Sequence, residues 1–370
     1  MKKKPGSKLT SRRLQLLKVG HEWNYKELAE LLKPLDSHEP MSLNVAAPSH
    51  QTLHLYRKNI FRDWGWETDE NKISLELIKS ILGTTWKPRR FCILGSGASR
   101  LGMDLHWEFK LSMTVAVDFN PFLLLVAQKM YQRKPISLYD FASAPLENDR
   151  VAECFELSSP LPRLSGFHFV FGDVAFLPFK AGQFESVLTP WLIDILPMSF
   201  KLLAQRVNQI VTVGGNWLNF GPLGFSHRQE ASNLTCEEIV EQLEECGFEV
   251  EVQNKARIKY LSSKNEVNSR NESVFLFKAK KVRDVAVEPF ELWPGWLRNM
   301  DLPIPATDDL LKHQQLVRFQ ADLFHSVNGQ LSINQIAQLF ADHYKISLDD
   351  ALKMTSNVLR QFEESLKRKS

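Results

Sequence analysis

The chain has 370 residues, 44% hydrophobic and 24% charged, enough to bury a sizeable core without disulfide or metal staples. Its four cysteines, Cys92, Cys154, Cys236 and Cys246, form no CxxC pair and none stands with histidines at zinc-ligand spacing, so no disulfide framework or structural metal is indicated and a reducing cytoplasm is expected. The formal charge of +3 is uneven: Lys2, Lys3, Lys4, Lys8, Arg12, Arg13 and Lys18 precede the first acid, and the remainder carries 39 basic against 43 acidic residues. This reads as a solvated basic tail on a mildly acidic body rather than a nucleic-acid footprint. No stretch approaches the roughly 18 apolar residues of a membrane span, and the basic start leads into no signal-peptide core, so neither secretion nor a membrane partner is expected.

Residues 1–85 carry three helical patterns, "SRRLQLLKVGHEWNYKELAELLKPL", "HQTLHLYRKNIFRDW" and "KISLELIKSILG", the last with Gly83 as C-cap. They predict an N-terminal helical cover. From Phe91 the pattern changes to short apolar runs alternating with amphipathic ones: "RFCILGSG", "TVAVDF", "FHFVFGD", "FESVLTP", "NWLNFG", "FEVEVQNKARI" and "SVFLFKAK". Strands and helices in turn imply an α/β domain over 86–284, with a mostly parallel sheet covered on both faces. Only the loop "LSSKNEVNSRNE" separates the last two strands, which should therefore pair antiparallel. A Rossmann-like sheet ending this way resembles that of class I methyltransferases. Residues 136–166 are polar and proline-bearing and read as an insertion. The proline-rich stretch 285–306 reads as a linker, followed over 307–370 by three helices, with Ser332 and Ser347 as N-caps of the second and third.

Gly95 and Gly97, in "LGSGASRLG", stand where a nucleotide loop excludes side chains, with the helix from Arg100 offering free N–H groups; Ser99 replaces the third glycine. A bare GxG is also a common tight turn. Asp118 at the next strand end can accept hydrogen bonds from both hydroxyls of a ribose, and Asp173 at a third can accept from an adenine amino group. Three such strand ends point to an adenosine-bearing ligand. At the fourth, "ESVLTPWLIDILP", Asp194 is placed either to hold a methyl acceptor or to cap a helix beginning near Pro197.

Taken together, "FRDW" at 61–64, "LGSGASRLG", "GDV" at 172–174, "LIDIL" at 192–196 and "GGNWLNFGPLGFSH" at 214–227 resemble the carnosine N-methyltransferase family over roughly residues 50–281. The GxWxNxGPL string is the most specific of these. The resemblance implies an S-adenosyl-L-methionine-dependent enzyme that methylates an imidazole nitrogen of a histidine-containing small molecule or peptide. It implies cofactor contacts at Arg62, Gly95, Gly97, Arg100, Asp118, Asp173 and Val174, and acceptor contacts at Asp194, Phe225 and His227, with Asp194 and His227 catalytic. Arg62 could instead be a surface arginine, and His227, displaced by Ser226 from the family's aromatic–histidine pair, a surface histidine. The family's tyrosine-rich strand start is replaced here by "SRNES".

The C-terminal helices resemble PqqD-like peptide-recognition domains or a winged helix, which admits a peptide partner and the alternative of a peptide or protein methyltransferase. A non-catalytic cofactor-binding module and a nicotinamide oxidoreductase are the other readings. The intact Asp194 weighs against the first, and the antiparallel sheet end against the second.

Overall fold

The structure, a computed structural model, describes residues 7–36, 53–83, 86–225, 230–289 and 301–369. The chain divides into two compact units, Met1–Leu292 and Trp293–Ser370.

The first unit opens with α1 (Lys8–Asp36), α2 (Leu53–Trp64) and α3 (Glu70–Ile81). The C-cap of α3 is Leu82, in an extended conformation, so Gly83 is not the cap. There follow β1 (Phe91–Leu94), α4 (Arg100–Glu108), β2 (Thr114–Asp118), α5 (Pro121–Tyr131), β3 (Ile136–Phe141), β4 (Ala152–Leu157), β5 (Phe167–Phe171), β6 (Phe184–Pro190), α6 (Phe200–Ile210), β7 (Val211–Gly221), α7 (Cys236–Glu245), β8 (Phe248–Tyr260) and β9 (Arg270–Lys281).

Seven strands form one sheet in the order β5-β2-β1-β6-β7-β9-β8. The pairs β5–β2, β2–β1, β1–β6 and β6–β7 are parallel, while β9 runs antiparallel to both β7 and β8. This is the Rossmann-like class I methyltransferase sheet expected from the strand pattern. The parallel order brings the ends of β5, β2, β1 and β6 side by side along one edge, where parallel α/β sheets bind ligands.

The central strands are apolar on both faces because helices cover both. Cys92 and Leu94 of β1, Val115 and Val117 of β2, and Trp217 of β7 pack in one cluster with Leu203 and Val207 of α6 and Ile239 and Leu243 of α7. On the opposite face, Phe91 and Ile93 meet Ile78 and Leu105 from α3 and α4, and Ala116 meets Phe122, Val126 and Met130 of α5 beside Ile60 and Phe61 of α2.

The insertion at 136–166 is more ordered than its polar composition suggests. Strands β3 and β4 pair antiparallel as a separate two-stranded sheet. Helix α1 is fastened to it: the Trp23 indole donates to the Ser137 carbonyl at 2.8 Å, and the Asn24 amide pairs with both the carbonyl and the N–H of Tyr139, at 2.7 and 2.8 Å. The hairpin strands thus pair with each other and with α1, and their connecting loop bonds the β8–β9 loop through Ala144 and Leu146.

The second unit consists of α8 (Asp308–Ser326), α9 (Ile333–Tyr344) and α10 (Leu348–Lys369), packed around Phe319, Leu323, Ile336, Phe340 and Ala351. Ser332 and Gln335 form a capping box at the start of α9, and the Ser347 hydroxyl accepts from the Asp350 N–H. Among its described residues this unit has no strand. Across the described residues of the whole chain, no helix is long and apolar enough to cross a membrane.

Candidate functional site

The loop after β1 makes three left-handed turns in five residues, at Gly95 (φ 73°), Gly97 (φ 57°) and Ser99 (φ 64°). The two glycines serve different purposes. A Cβ on Gly95 would lie 2.8 Å from Leu192 Cδ1, so this position is required by packing against the segment after β6. A Cβ on Gly97 would meet only Arg62 Nη2, at 4.0 Å, so the backbone there faces open space across from a guanidinium. Ser99 holds the conformation a third glycine would adopt, at the modest cost a short polar residue tolerates.

Asp118, at the end of β2, locks this loop: its Oδ2 accepts from the Gly97 N–H at 2.8 Å and its Oδ1 from the Asn120 N–H at 2.8 Å. Burial lifts its pKa to about 6, opposed by these backbone donors. Tyr56 of α2 lies beside it: the ring sits edge-on to Phe119, and burial, with the Asp118 charge, raises the phenol above its ordinary pKa. At the end of β5, Asp173 uses Oδ1 to accept from the Ala175 N–H at 2.9 Å. Val174 is buried in the main core.

The end of α2 is stitched onto the glycine loop. The Trp64 indole donates to the Ala98 carbonyl at 2.9 Å, and Arg100 Nη1 to the Asp63 carbonyl at 3.3 Å. Arg100 is otherwise held by Asp104, at 2.9 Å to each carboxylate oxygen, and lies over the Trp64 ring. Its guanidinium therefore ties the first turn of α4 to the end of α2. Arg62 is no surface residue: its side chain is 12% exposed and its Nε donates to Asp63 Oδ1 at 2.7 Å. Burial opposes the Arg62 charge, but Asp63, Tyr260 and Glu70 together hold it more firmly protonated than an ordinary arginine.

Asp194 does not cap a helix. Helix α6 begins at Phe200, and its N-cap is Ser199, which accepts from the Leu202 N–H. Instead Asp194, 9% exposed, accepts from the Gly224 N–H at 2.8 Å and so joins the loops after β6 and β7. Burial raises its pKa and Glu272 adds to the rise, while Gly224 and Arg270 oppose it. Phe225, next in the loop, is half-buried against the core. His227 lies outside the described residues.

Two aromatic residues not signalled by any sequence motif complete this side. Trp191, at φ 53°, stacks on Tyr260 with ring centroids 3.9 Å apart. Tyr260, at the end of β8, has the Arg62 guanidinium 5.9 Å and the Arg270 guanidinium 5.3 Å from its ring. Burial raises its pKa, with Arg62 opposing. Arg270, in the "SRNES" start of β9, pairs with Glu272. Tyr260 thus lies against both Trp191 and the Arg62 guanidinium, and the Asp194 charge adds to the rise of its pKa.

The residues present fit S-adenosylmethionine. Gly97 leaves open backbone, Arg62 offers a buried cation for a carboxylate, and Asp118 a desolvated acceptor for hydroxyl donors.

A family model described as carnosine N-methyltransferase matches residues 42–283. No curated protein matches the chain. Among solved structures, it is similar to a SAM-dependent methyltransferase from Methanosarcina mazei, at 13% identity and TM-score 0.40, over 56% of this chain and 97% of that one. It is also similar to the N-methyltransferase NodS from Bradyrhizobium japonicum, in complex with S-adenosyl-L-homocysteine, at 10% identity and TM-score 0.38, over 62% of this chain and 99% of that one.

Proposed function

The chain belongs to the carnosine N-methyltransferase family, and from that premise we propose that it methylates an imidazole nitrogen of a histidine-containing small molecule or peptide. That it is an S-adenosylmethionine-dependent methyltransferase follows from the family; the acceptor and the residue roles are our reading. The observation that carries it is Asp194: a buried carboxylate at the fourth strand end, fixed by Gly224 and three residues after Trp191, which stacks on Tyr260.

S-adenosylmethionine, when bound, supplies an electrophilic methyl group. In this reading the chain holds the cofactor through Arg62, which pairs with its carboxylate, Asp118, which accepts from the ribose, and Asp173, which accepts from the adenine amino group. Gly95, Gly97 and Arg100 shape the loop, and Val174 closes the adenine side. On the acceptor side, an imidazole with a pKa near 6.5 is mostly neutral at pH 7, one nitrogen bearing the proton and the other a lone pair. Asp194 accepts the N–H, which selects the tautomer and turns the free lone pair toward the glycine loop. Its negative charge then offsets the positive charge that develops on the ring. Tyr260, Trp191 and Phe225 form the wall against which the ring lies, and His227 is assigned to the same acceptor loop.

Asp194→Asn tests the assignment. Its amide oxygen can still accept from the Gly224 N–H, so the loop contact is preserved while the counter-charge is lost. Turnover should fall on the order of 100-fold, with S-adenosylhomocysteine affinity almost unchanged. Near wild-type turnover would remove Asp194 from the chemistry, and with it most of the case for an imidazole acceptor.

A further inference from the structure

Glu70, the first residue of α3, is 5% exposed and lies between the two halves of the site. Its Oε2 accepts from the Leu261 N–H at 2.9 Å. Leu261 follows Tyr260 and has φ 49°, a strained conformation for a branched side chain. The carboxylate therefore holds the turn that sets Tyr260 against Trp191. Its other oxygen, Oε1, is buried and has no hydrogen-bond partner among the described residues. It stops 3.7 Å from Arg62 Nε, which is committed to Asp63 at 2.7 Å.

One guanidinium is thus shared by two buried carboxylates, and only one of them is satisfied. With all three groups ionised, Arg62, Asp63 and Glu70 sum to one negative charge in a nearly dry environment, which is costly. Burial accordingly raises Glu70 to a pKa of about 7, with Arg62 and the Leu261 N–H opposing and Asp63 adding. The charged and titratable groups facing it are Arg62 and Asp63 on α2 and Tyr260 on β8, with Arg270 and Asp194 beyond Tyr260. A third carboxylate arriving at Arg62 would deepen the negative excess.

We propose that Glu70 is a positioning residue that ties the acceptor wall to Arg62, and that it takes up a proton when the cofactor's carboxylate docks on Arg62. The proposal rests on the assignment of Arg62 to that carboxylate. Protonation neutralises the unsatisfied carboxylate, leaves Arg62 to Asp63 and the ligand, and leaves the Leu261 contact to an oxygen that still accepts.

The test is calorimetry of S-adenosylhomocysteine binding to the full chain at pH 8 in buffers of different ionisation enthalpy, which counts protons taken up. Asp118 is already ionised at that pH and does not contribute. Wild type should take up roughly 0.4 of a proton more than Glu70→Gln, and its affinity should be about threefold higher at pH 7 than at pH 8 through this group, a dependence the variant lacks. Glutamine keeps an acceptor for the Leu261 N–H, so a purely structural role would leave the variant's proton count equal to that of wild type. Equal counts overturn the proposal, as does zero uptake by wild type, a result that requires no variant. 5′-Methylthioadenosine, which has the adenosine and sulfur but no carboxylate, should show no Glu70-dependent uptake. If Arg62→Gln leaves S-adenosylhomocysteine affinity unchanged, the assignment of Arg62 itself fails. If that variant weakens binding while Glu70→Gln keeps the wild-type count, only the role of Glu70 fails.

Discussion

Asp118 and Asp194 are both buried carboxylates at strand ends, and each is fixed by a backbone N–H from the neighbouring loop. What separates them is the loop each one fixes: the glycine loop, whose Gly97 stands across from Arg62, for the first, and the loop after β7 for the second. Because burial pushes the Asp118 carboxyl up to about 6, this group binds more proton in the folded than in the unfolded chain between about pH 4 and 6. Without cofactor, its ionisation therefore costs stability as the pH rises through that window. A ligand that donates hydroxyl hydrogens needs the ionised form, so cofactor affinity should fall as the pH drops below about 6. Asp118→Ala should weaken S-adenosylhomocysteine binding by roughly 1 to 3 kcal/mol at pH 7.5 and remove the acidic fall; calorimetry at pH 5.5 and 7.5 in a Glu70→Gln background, which lacks the opposing proton uptake at Glu70, checks both. These two aspartates were legible because each follows an apolar strand run. Glu70, Trp191 and Tyr260 were not. An acid in the first turn of a helix reads as an ordinary partner of the helix dipole, and the meeting of Trp191 with Tyr260 depends on β9 lying between β7 and β8, which no local pattern encodes.

At the scale of elements, the string that most resembles the family is largely structural. Trp217 is fully buried, stacks on Phe200 and donates to the Thr189 hydroxyl at 3.0 Å. The Asn219 side chain accepts from that same hydroxyl at 3.0 Å and donates to the Phe275 carbonyl at 2.8 Å, which ties β6, β7 and β9 together. Gly221 has a more direct link to the site, since a Cβ there would stand 3.0 Å from the Trp191 N and 3.1 Å from its Cα. Backbone cannot swing aside as a side-chain tip can. Gly221→Ala should therefore displace Trp191, destabilise the fold by about 1 to 3 kcal/mol as overpacked sites do, and reduce turnover more than cofactor affinity. Denaturant unfolding and a kcat measurement would check this; unchanged turnover with lowered stability would place Trp191 outside the acceptor wall. The alternation of the parallel strands was readable because both sheet faces are buried. The β3–β4 hairpin was not, because "ISLYDF" and "AECFEL" mix polar and apolar positions and gain their order from each other and from α1.

For the whole molecule, the family match ends at residue 283, while the first compact unit runs to Leu292. The difference has a physical basis: the Glu288 N–H donates to the Gln205 side chain at 3.0 Å, and Val287 packs against the main core. A chain ending at Leu292 keeps these contacts, and one ending before Val287 would lose both. We propose that the three C-terminal helices serve acceptor recognition. On that proposal, the Leu292 truncation should bind S-adenosylhomocysteine as the full chain does and lose activity mainly on a histidine peptide rather than on a free imidazole compound; equal losses on both would contradict it. Transfer of a methyl group to an imidazole nitrogen can be read by mass spectrometry of the 370-residue chain incubated with S-adenosylmethionine and a panel of histidine-containing dipeptides, free imidazole compounds and non-imidazole amines. A gain of one methyl group, located on the ring by fragmentation, is expected in at least one imidazole compound and in none of the amines. A methylated amine with every imidazole unmodified would contradict it.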